Sequence, residues 1–224
     1  MKYLINILIT TLLSINFVSA QSELVNESFD KAGKLPKGWK EVSTKGNIKV
    51  DGGFLKIERK KNSEGKIKSP IAVYTLPVNV STTKSEVEFS FKASKAFFNT
   101  RVDFQTANNK NFISLKLGAQ GKYTILYATN NEGKEPKSKA FEANEKLLKD
   151  KIVKNKIYTV KLEFTKKKKV NIYVDGELAV KNVALPSSLT APLSKVKFKF
   201  YDAYKGTGIF AIDEFVVRGK QESL

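Results

Sequence analysis

The chain contains no cysteine and no histidine, one methionine and one tryptophan. Without cysteine there is no disulfide framework, thiolate metal site or cysteine nucleophile. Without histidine no imidazole serves as general base, metal ligand or pH switch, which excludes Ser-His-Asp chemistry and His-ligated catalytic zinc. Arginine is scarce too: Arg59, Arg101 and Arg218 are the only three among 40 basic residues. Bidentate recognition of bases and phosphates favours arginine, so the formal net charge of +18 does not read as a nucleic-acid interface. The excess is lysine spread over nearly every segment. Such a diffuse field raises the local concentration of polyanions, so an acidic polysaccharide or an anionic cell surface is the kind of partner it fits. The plain alternative is solubility alone.

Residues 1–20 read as a signal peptide. Lys2 supplies a positive start, Leu4 to Val18 is largely apolar, and Val18-Ser19-Ala20 places small residues where a signal peptidase cuts. The run is shorter than a membrane span needs and is interrupted by Asn6, Thr10, Thr11, Ser14 and Asn16, so no membrane span is expected. The protein is expected to be exported to the periplasm, the cell surface or the medium, with residues 21–224 as a single domain stabilised by a hydrophobic core rather than by staples.

Beyond Gln21 the chain reads with a period of two. Val87, Phe89 and Phe91 alternate with polar neighbours, as do Tyr158, Val160, Leu162 and Phe164, and Val196, Phe198 and Phe200. Each pattern is that of a half-buried strand. Less regular strands are expected over 48–59, 71–80, 100–106, 112–117, 123–128, 170–174 and 208–218, about ten strands in all. A short helix or ordered loop is expected at 140–151. Antiparallel strands with one apolar face each must close into a two-sheet sandwich or a barrel.

The stretch from Tyr158 to Asn182 holds two strands around the lysine turn Lys166–Lys169, followed by an Asp175-Gly176 hairpin signal. This meander resembles the concanavalin A-like lectin/glucanase superfamily and its laminin G-like domains. The terminal run Phe210-Ala211-Ile212-Asp213-Glu214-Phe215 and the opening Glu27-Ser28-Phe29-Asp30 with Leu35-Pro36-Lys37-Gly38-Trp39 are similar to the same superfamily. The resemblance implies an all-β, two-sheet antiparallel jelly-roll sandwich. It is specific for fold, because that superfamily hosts lectins, glycosidases, lyases and adhesion modules alike.

Glycoside hydrolysis requires two opposed carboxylates. The E-x-D-x-x-E motif of concanavalin-type glucanases is missing, and Glu86 and Glu88 read as a solvated strand face. Jelly-roll alginate lyases carry R-x-E-x-R, Q-x-H and Y-x-K-x-G-x-Y strands. Arg101-Val102-Asp103-Phe104-Gln105 is a degraded echo of the first motif and Tyr201 to Gly206 of the third; the second is absent. Period two projects Arg101, Asp103 and Gln105 from one face, a row able to read sugar hydroxyls or a carboxylate. Lys195, Lys197 and Lys199 form a ladder beside Tyr201, while Trp39 reads as core. No catalytic residue is assigned. The expected binding residues are Arg101, Asp103, Gln105, Lys116, Tyr201 and Tyr204. The one cofactor considered is a structural calcium, for which Asp30 and Asp213 are the metal candidates. The sequence thus reads as an exported, non-catalytic carbohydrate-binding or adhesion module for an anionic poly- or oligosaccharide. The alternatives are a lyase or, behind it, a hydrolase acting on acidic polysaccharide, and a structural envelope or complex subunit.

Overall fold

The computed structural model describes residues 21–42, 47–67, 69–95, 98–109, 111–118, 123–124, 152–185, 191–203 and 206–221. The expected signal peptide and the helix or loop at 140–151 lie outside them. Among the described residues fourteen strands run in chain order: β1 Ser22–Glu27, β2 Trp39–Glu41, β3 Ile48–Asp51, β4 Phe54–Arg59, β5 Ile71–Val80, β6 Ser85–Ala93, β7 Phe98–Thr106, β8 Asn111–Leu117, β9 Tyr123–Thr124, β10 Tyr158–Thr165, β11 Lys169–Val174, β12 Glu177–Ala184, β13 Leu193–Ala203 and β14 Gly208–Gly219. They form two antiparallel sheets. The larger runs β12-β11-β10-β6-β14-β4-β3, with β1 also on β14, and the smaller runs β2-β5-β13-β7-β8-β9. No helix among the described residues is long and apolar enough to cross a membrane.

The period-two segments form the strands expected of them. In β10 buried and half-buried residues alternate without a break. The segment 48–59, expected as one strand, is a hairpin instead. Gly52 and Gly53 take φ of +59° and +77°, the left-handed pair that a tight two-residue turn requires, and β3 folds back on β4 in the register Asp51↔Phe54.

The core lies between the sheets, and its densest part is aromatic. Trp39 is 5% exposed, which places it in the core as its sequence setting indicates. Its ring lies 5.0 Å from Tyr74, 5.5 Å from Phe29, 5.6 Å from Phe215 and 5.8 Å from Phe198, centroid to centroid. Phe89 of the larger sheet meets Phe198 of the smaller edge to face at 5.3 Å. Tilted and T-shaped pairs of this kind add about 0.5–1.5 kcal/mol each to the burial of the rings. Burial, then the nearby charge of Glu27, pushes the Tyr74 phenol up to about 12, so it stays neutral at any physiological pH.

Gly38 permits this cluster to form. It has φ +94°, and its carbonyl accepts the Thr75 amide at 2.9 Å. A Cβ there would lie 2.8 Å from the Tyr74 ring and 2.9 Å from the Thr75 carbonyl oxygen. Gly65, at φ +73°, has open space around it. Gly38→Ala is therefore expected to destabilise the fold by roughly 3 kcal/mol, from left-handed strain plus overpacking, and Gly65→Ala by about 1 kcal/mol. Urea midpoints read the difference, and equal costs at the two positions would refute it.

Candidate functional site

The outer face of the smaller sheet is built from β5, β13, β7 and β8. Arg101, Asp103 and Gln105 of β7 share this face, because Val102 and Phe104 between them turn into the core and are fully buried. Strand pairing sets their neighbours. Lys199, Lys197 and Lys195 stand opposite Arg101, Asp103 and Gln105 on one side. Lys116 and Ser114 stand opposite Arg101 and Asp103 on the other. The register thus brings four of the expected residues together. Tyr201 joins them, its ring lying 4.3 Å beneath the Lys199 ammonium. Tyr204 lies outside the described residues.

The row is not a solvated strand face, as alternation alone implies. The Asp103 side chain is 3% exposed and that of Arg101 is 21% exposed. Asp103 Oδ1 accepts from Arg101 Nε and from Ser114 Oγ, while Arg101 Nη2 donates to Ser114 Oγ at 3.2 Å. Burial works against the Arg101 charge, but the Asp103 carboxylate, with the Tyr201 phenol adding in the same direction, outweighs it and raises the guanidinium pKa. Asp103 is thus a buried acceptor that orients Arg101. Gln105 is 7% exposed. Lys195 donates to Asn109 Oδ1 at 2.8 Å. Lys197 is half-buried, and its ammonium makes no hydrogen bond or ion pair among the described residues. Ser114 was not legible as a site residue. Its signal lies in the short spacing between β7 and β8, which pair antiparallel and set Ser114 opposite Asp103.

The other expected positions lie elsewhere. Asp30 is exposed in the loop after β1 and accepts from Ser28 Oγ. Asp213 is the extra residue of a β14 bulge, half-buried, between the pairs Ile212↔Phe91 and Glu214↔Ser90. Burial, then Asp30, raises the pKa of Glu27 in the same region. No group of three or more potential metal ligands converges among the described residues. Glu86 and Glu88 lie on the outer face of the larger sheet, 4.0 and 3.8 Å from Arg218 Nη1. They share one ion network instead of facing each other across a sugar. On the same face Glu163 accepts from Asn171 Nδ2 at 2.9 Å and from the Tyr173 hydroxyl at 2.8 Å. The Asn171 bond is the main reason that its pKa is lowered.

No family model matches the chain, and no curated protein matches its sequence. Solved structures do. An endo-acting O-glycanase expressed by prominent members of the human gut microbiota aligns with a TM-score of 0.67 at 16% identity, over 89% of this chain and 100% of the other. Rv0315, an immunostimulatory antigen and pseudo β-1,3-glucanase of Mycobacterium tuberculosis, aligns at 0.63 and 11% identity, over 89% and 99%. The carbohydrate recognition domain of Emp47p aligns at 0.60 and 12% identity, over 91% and 99%. At such identities the likeness establishes fold: this chain is a two-sheet antiparallel jelly-roll sandwich.

Two outcomes follow from the charge networks. Asp103→Ala is expected to cost about 2–3 kcal/mol, because it leaves Arg101 and Ser114 without their shared acceptor. Replacing Arg101 by Met and Asp103 by Leu together should cost less than Asp103→Ala alone, and the ordering is read from denaturant midpoints. For Glu163 the folded pKa lies below the ordinary 4.5, so its stabilisation is complete above that value and is lost as pH falls through the folded pKa. Glu163→Gln should therefore lose less stability than the wild type between pH 6 and pH 3; an equal loss in both would contradict that sign.

Proposed function

We propose that the protein is an exported, non-catalytic carbohydrate-binding module, and that its ligand is an anionic glycan laid on the outer face of the smaller sheet. The observation that carries this reading is the held guanidinium of Arg101. It is oriented from below by buried Asp103 and Ser114 and flanked by Lys197, Lys199 and Tyr201. A planar fork fixed in this way suits a carboxylate or sulfate better than a freely rotating lysine does. The Tyr201 ring supplies an apolar surface beside it, of the kind on which a pyranose packs. The fold likeness to an O-glycanase, a pseudo-glucanase and a carbohydrate recognition domain supports a carbohydrate ligand. Within the sandwich class we take the laminin G-like relationship as the nearer one, on the Tyr158–Asn182 meander. Export rests on the signal-like residues 1–20.

Retention on carboxylated and sulfated glycans, against neutral ones of equal length, tests the reading. Arg101→Ala should weaken retention about ten- to hundredfold, the value of one charge-assisted contact. Lys197→Gln, which breaks no contact within the protein, should weaken it about two- to fivefold. Binding should persist at 0.15 M salt, where the Debye length is about 8 Å. Wild-type retention unchanged in both variants would remove this face. New ultraviolet absorbance from unsaturated ends would replace the binding module with a lyase. No retention on any glycan would favour a structural subunit.

A further inference from the structure

The structure points to a second anion site, separate from the Arg101 face, at the end of the larger sheet. A cleft of about 1070 Å³ opens there between the β10–β11 turn, the β5–β6 turn, the start of β1 and the segment after β14. Lys84, Lys166, Lys167, Lys169 and Lys220 line it, against one carboxylate, Glu163. These lysines come from four separate stretches: the β5–β6 connection, the β10–β11 turn, the start of β11 and the segment after β14. None of the five ammonium groups makes a hydrogen bond or ion pair among the described residues. Lysines elsewhere do: Lys56 and Lys49 meet Asp51 at 2.7 and 3.8 Å, Lys66 meets Glu64 at 3.3 Å and Lys60 meets Glu58 at 3.5 Å. The cleft is thus one place where, among the described residues, several lysine charges stand together without a paired acid. Its lysine turn was visible in the sequence, but no binding role there accounts for it.

The walls are tied in place. The Ser81 amide donates to the Lys220 carbonyl at 3.1 Å, and Val80 bridges Gln221, so the chain end is fixed to the β5–β6 turn. The Leu185 amide donates to the Lys168 carbonyl at 2.9 Å, and the Asn182 amide to Asn171 Oδ1 at 2.8 Å. Lys84 and Asn182 hold left-handed backbone, at φ +55° and +57°, a conformation that costs most residues about 1–2 kcal/mol.

The chemistry selects a polymer of acidic sugars. The cleft stands at or above the roughly 300–1,000 Å³ of a small-molecule pocket, far more than one phosphate or sulfate fills. Gln21, Asn182 and Gln221 add carboxamides among the ammonium groups, and these can read hydroxyls between charged substituents. A membrane surface fits less well, since docking on lipid requires an apolar face to insert. Among the described residues the exposed large hydrophobics are Val42, Val153 and Ile157, and none of them lines the cleft. The site takes a carboxylated or sulfated oligosaccharide of several units, and it does not depend on the Arg101 face.

The test uses an oligogalacturonate hexamer and a heparin hexasaccharide, with a neutral hexamer as reference. Lysine acylation is mapped with and without each probe, and affinity is measured for the triple variant Lys84→Gln, Lys167→Gln, Lys220→Gln. Protection of the cleft lysines and about tenfold weaker binding of at least one acidic probe are expected, since each exposed charge contributes a factor of a few. The variant changes exposed turn side chains only, so its urea midpoint should match the wild type. Protection limited to Lys195, Lys197 and Lys199, with binding lost in Arg101→Ala but kept in the triple variant, would overturn the cleft while leaving the first face standing. Competition by millimolar inorganic phosphate as effective as the hexamers would reduce it to a simple anion site. Equal loss of binding to vesicles rich in anionic phospholipid, with no effect on the hexamers, would assign it to a membrane. Binding of neither acidic probe by the wild type would also overturn it.

Discussion

Strand β14 is 12 residues long and carries three neighbours. Its first half pairs with β4, its second half pairs with β1, and β6 lines its other edge. A strict alternation over that length would place Phe210 and Ile212 inward and then turn Phe215 and Val217 outward. The single extra residue at Asp213 prevents this. It shifts the phase by one, so both apolar pairs face the core and all four side chains are fully buried. The aromatic seam follows from that shift, because Phe215 meets Trp39 at 5.6 Å and Tyr74 at 5.0 Å. Without it neither the chain-end pairing with β1 nor the packing of Trp39 would have a partner surface. A phase error in a strand exposes a whole apolar face, which makes the bulge a condition for closure of the sandwich.

The same packing fixes what the outer faces can do. Once Val102 and Phe104 are in the core, Arg101 and Asp103 must share the opposite face, two residues apart. A carboxylate at that position is crowded by β13 and β8, and an unpaired buried charge would be costly. Arg101 and Ser114 satisfy it. The consequence is a division of labour along one strand: the acid is buried and structural, and the guanidinium above it keeps some exposure and a fixed orientation. On the larger sheet the carboxylates are handled differently, by Arg218 for Glu23, Glu86 and Glu88 and by neutral donors for Glu163. Both solutions take acids away from solvent-facing chemistry.

Much of the fold was legible because it depends on a local pattern. The alternation in Glu86–Lys92, Tyr158–Phe164 and Lys195–Tyr201 is a property of neighbouring residues, and each became a strand with the expected face buried. The hairpin at Gly52-Gly53 was missed although two adjacent glycines were its signal, because the flanking runs read as one continuous strand. The short strands β1, β2 and β12 lack a strong pattern of their own, and each is an edge or near-edge element held by its pairing. At the site, the sharing of one face by Arg101, Asp103 and Gln105 followed from strand period. The burial of Asp103 did not, since it depends on which strands flank β7, and those come from distant parts of the chain.

The net charge of +18 takes on a different meaning once the ion pairs are placed. Dispersed along the sequence, the lysines looked like one uniform field. In the fold, three kinds stand out among the described residues: those neutralised by a neighbouring acid, such as Lys56 on Asp51, those flanking the Arg101 face, and those around the cleft at the end of the larger sheet. The first kind contributes little to a distant ligand, because an adjacent opposite charge cancels most of its field. The other two are local concentrations on different sheets. A polyanion longer than either region could engage both, and the second contact would then form at the high effective concentration set by the first. In that arrangement a chain with few arginines gains affinity through the number of contacts, where arginine-rich surfaces gain it through the strength of each. Only Arg101 needs to be held rigidly, and the partly buried ion pair with Asp103 within β7 does this.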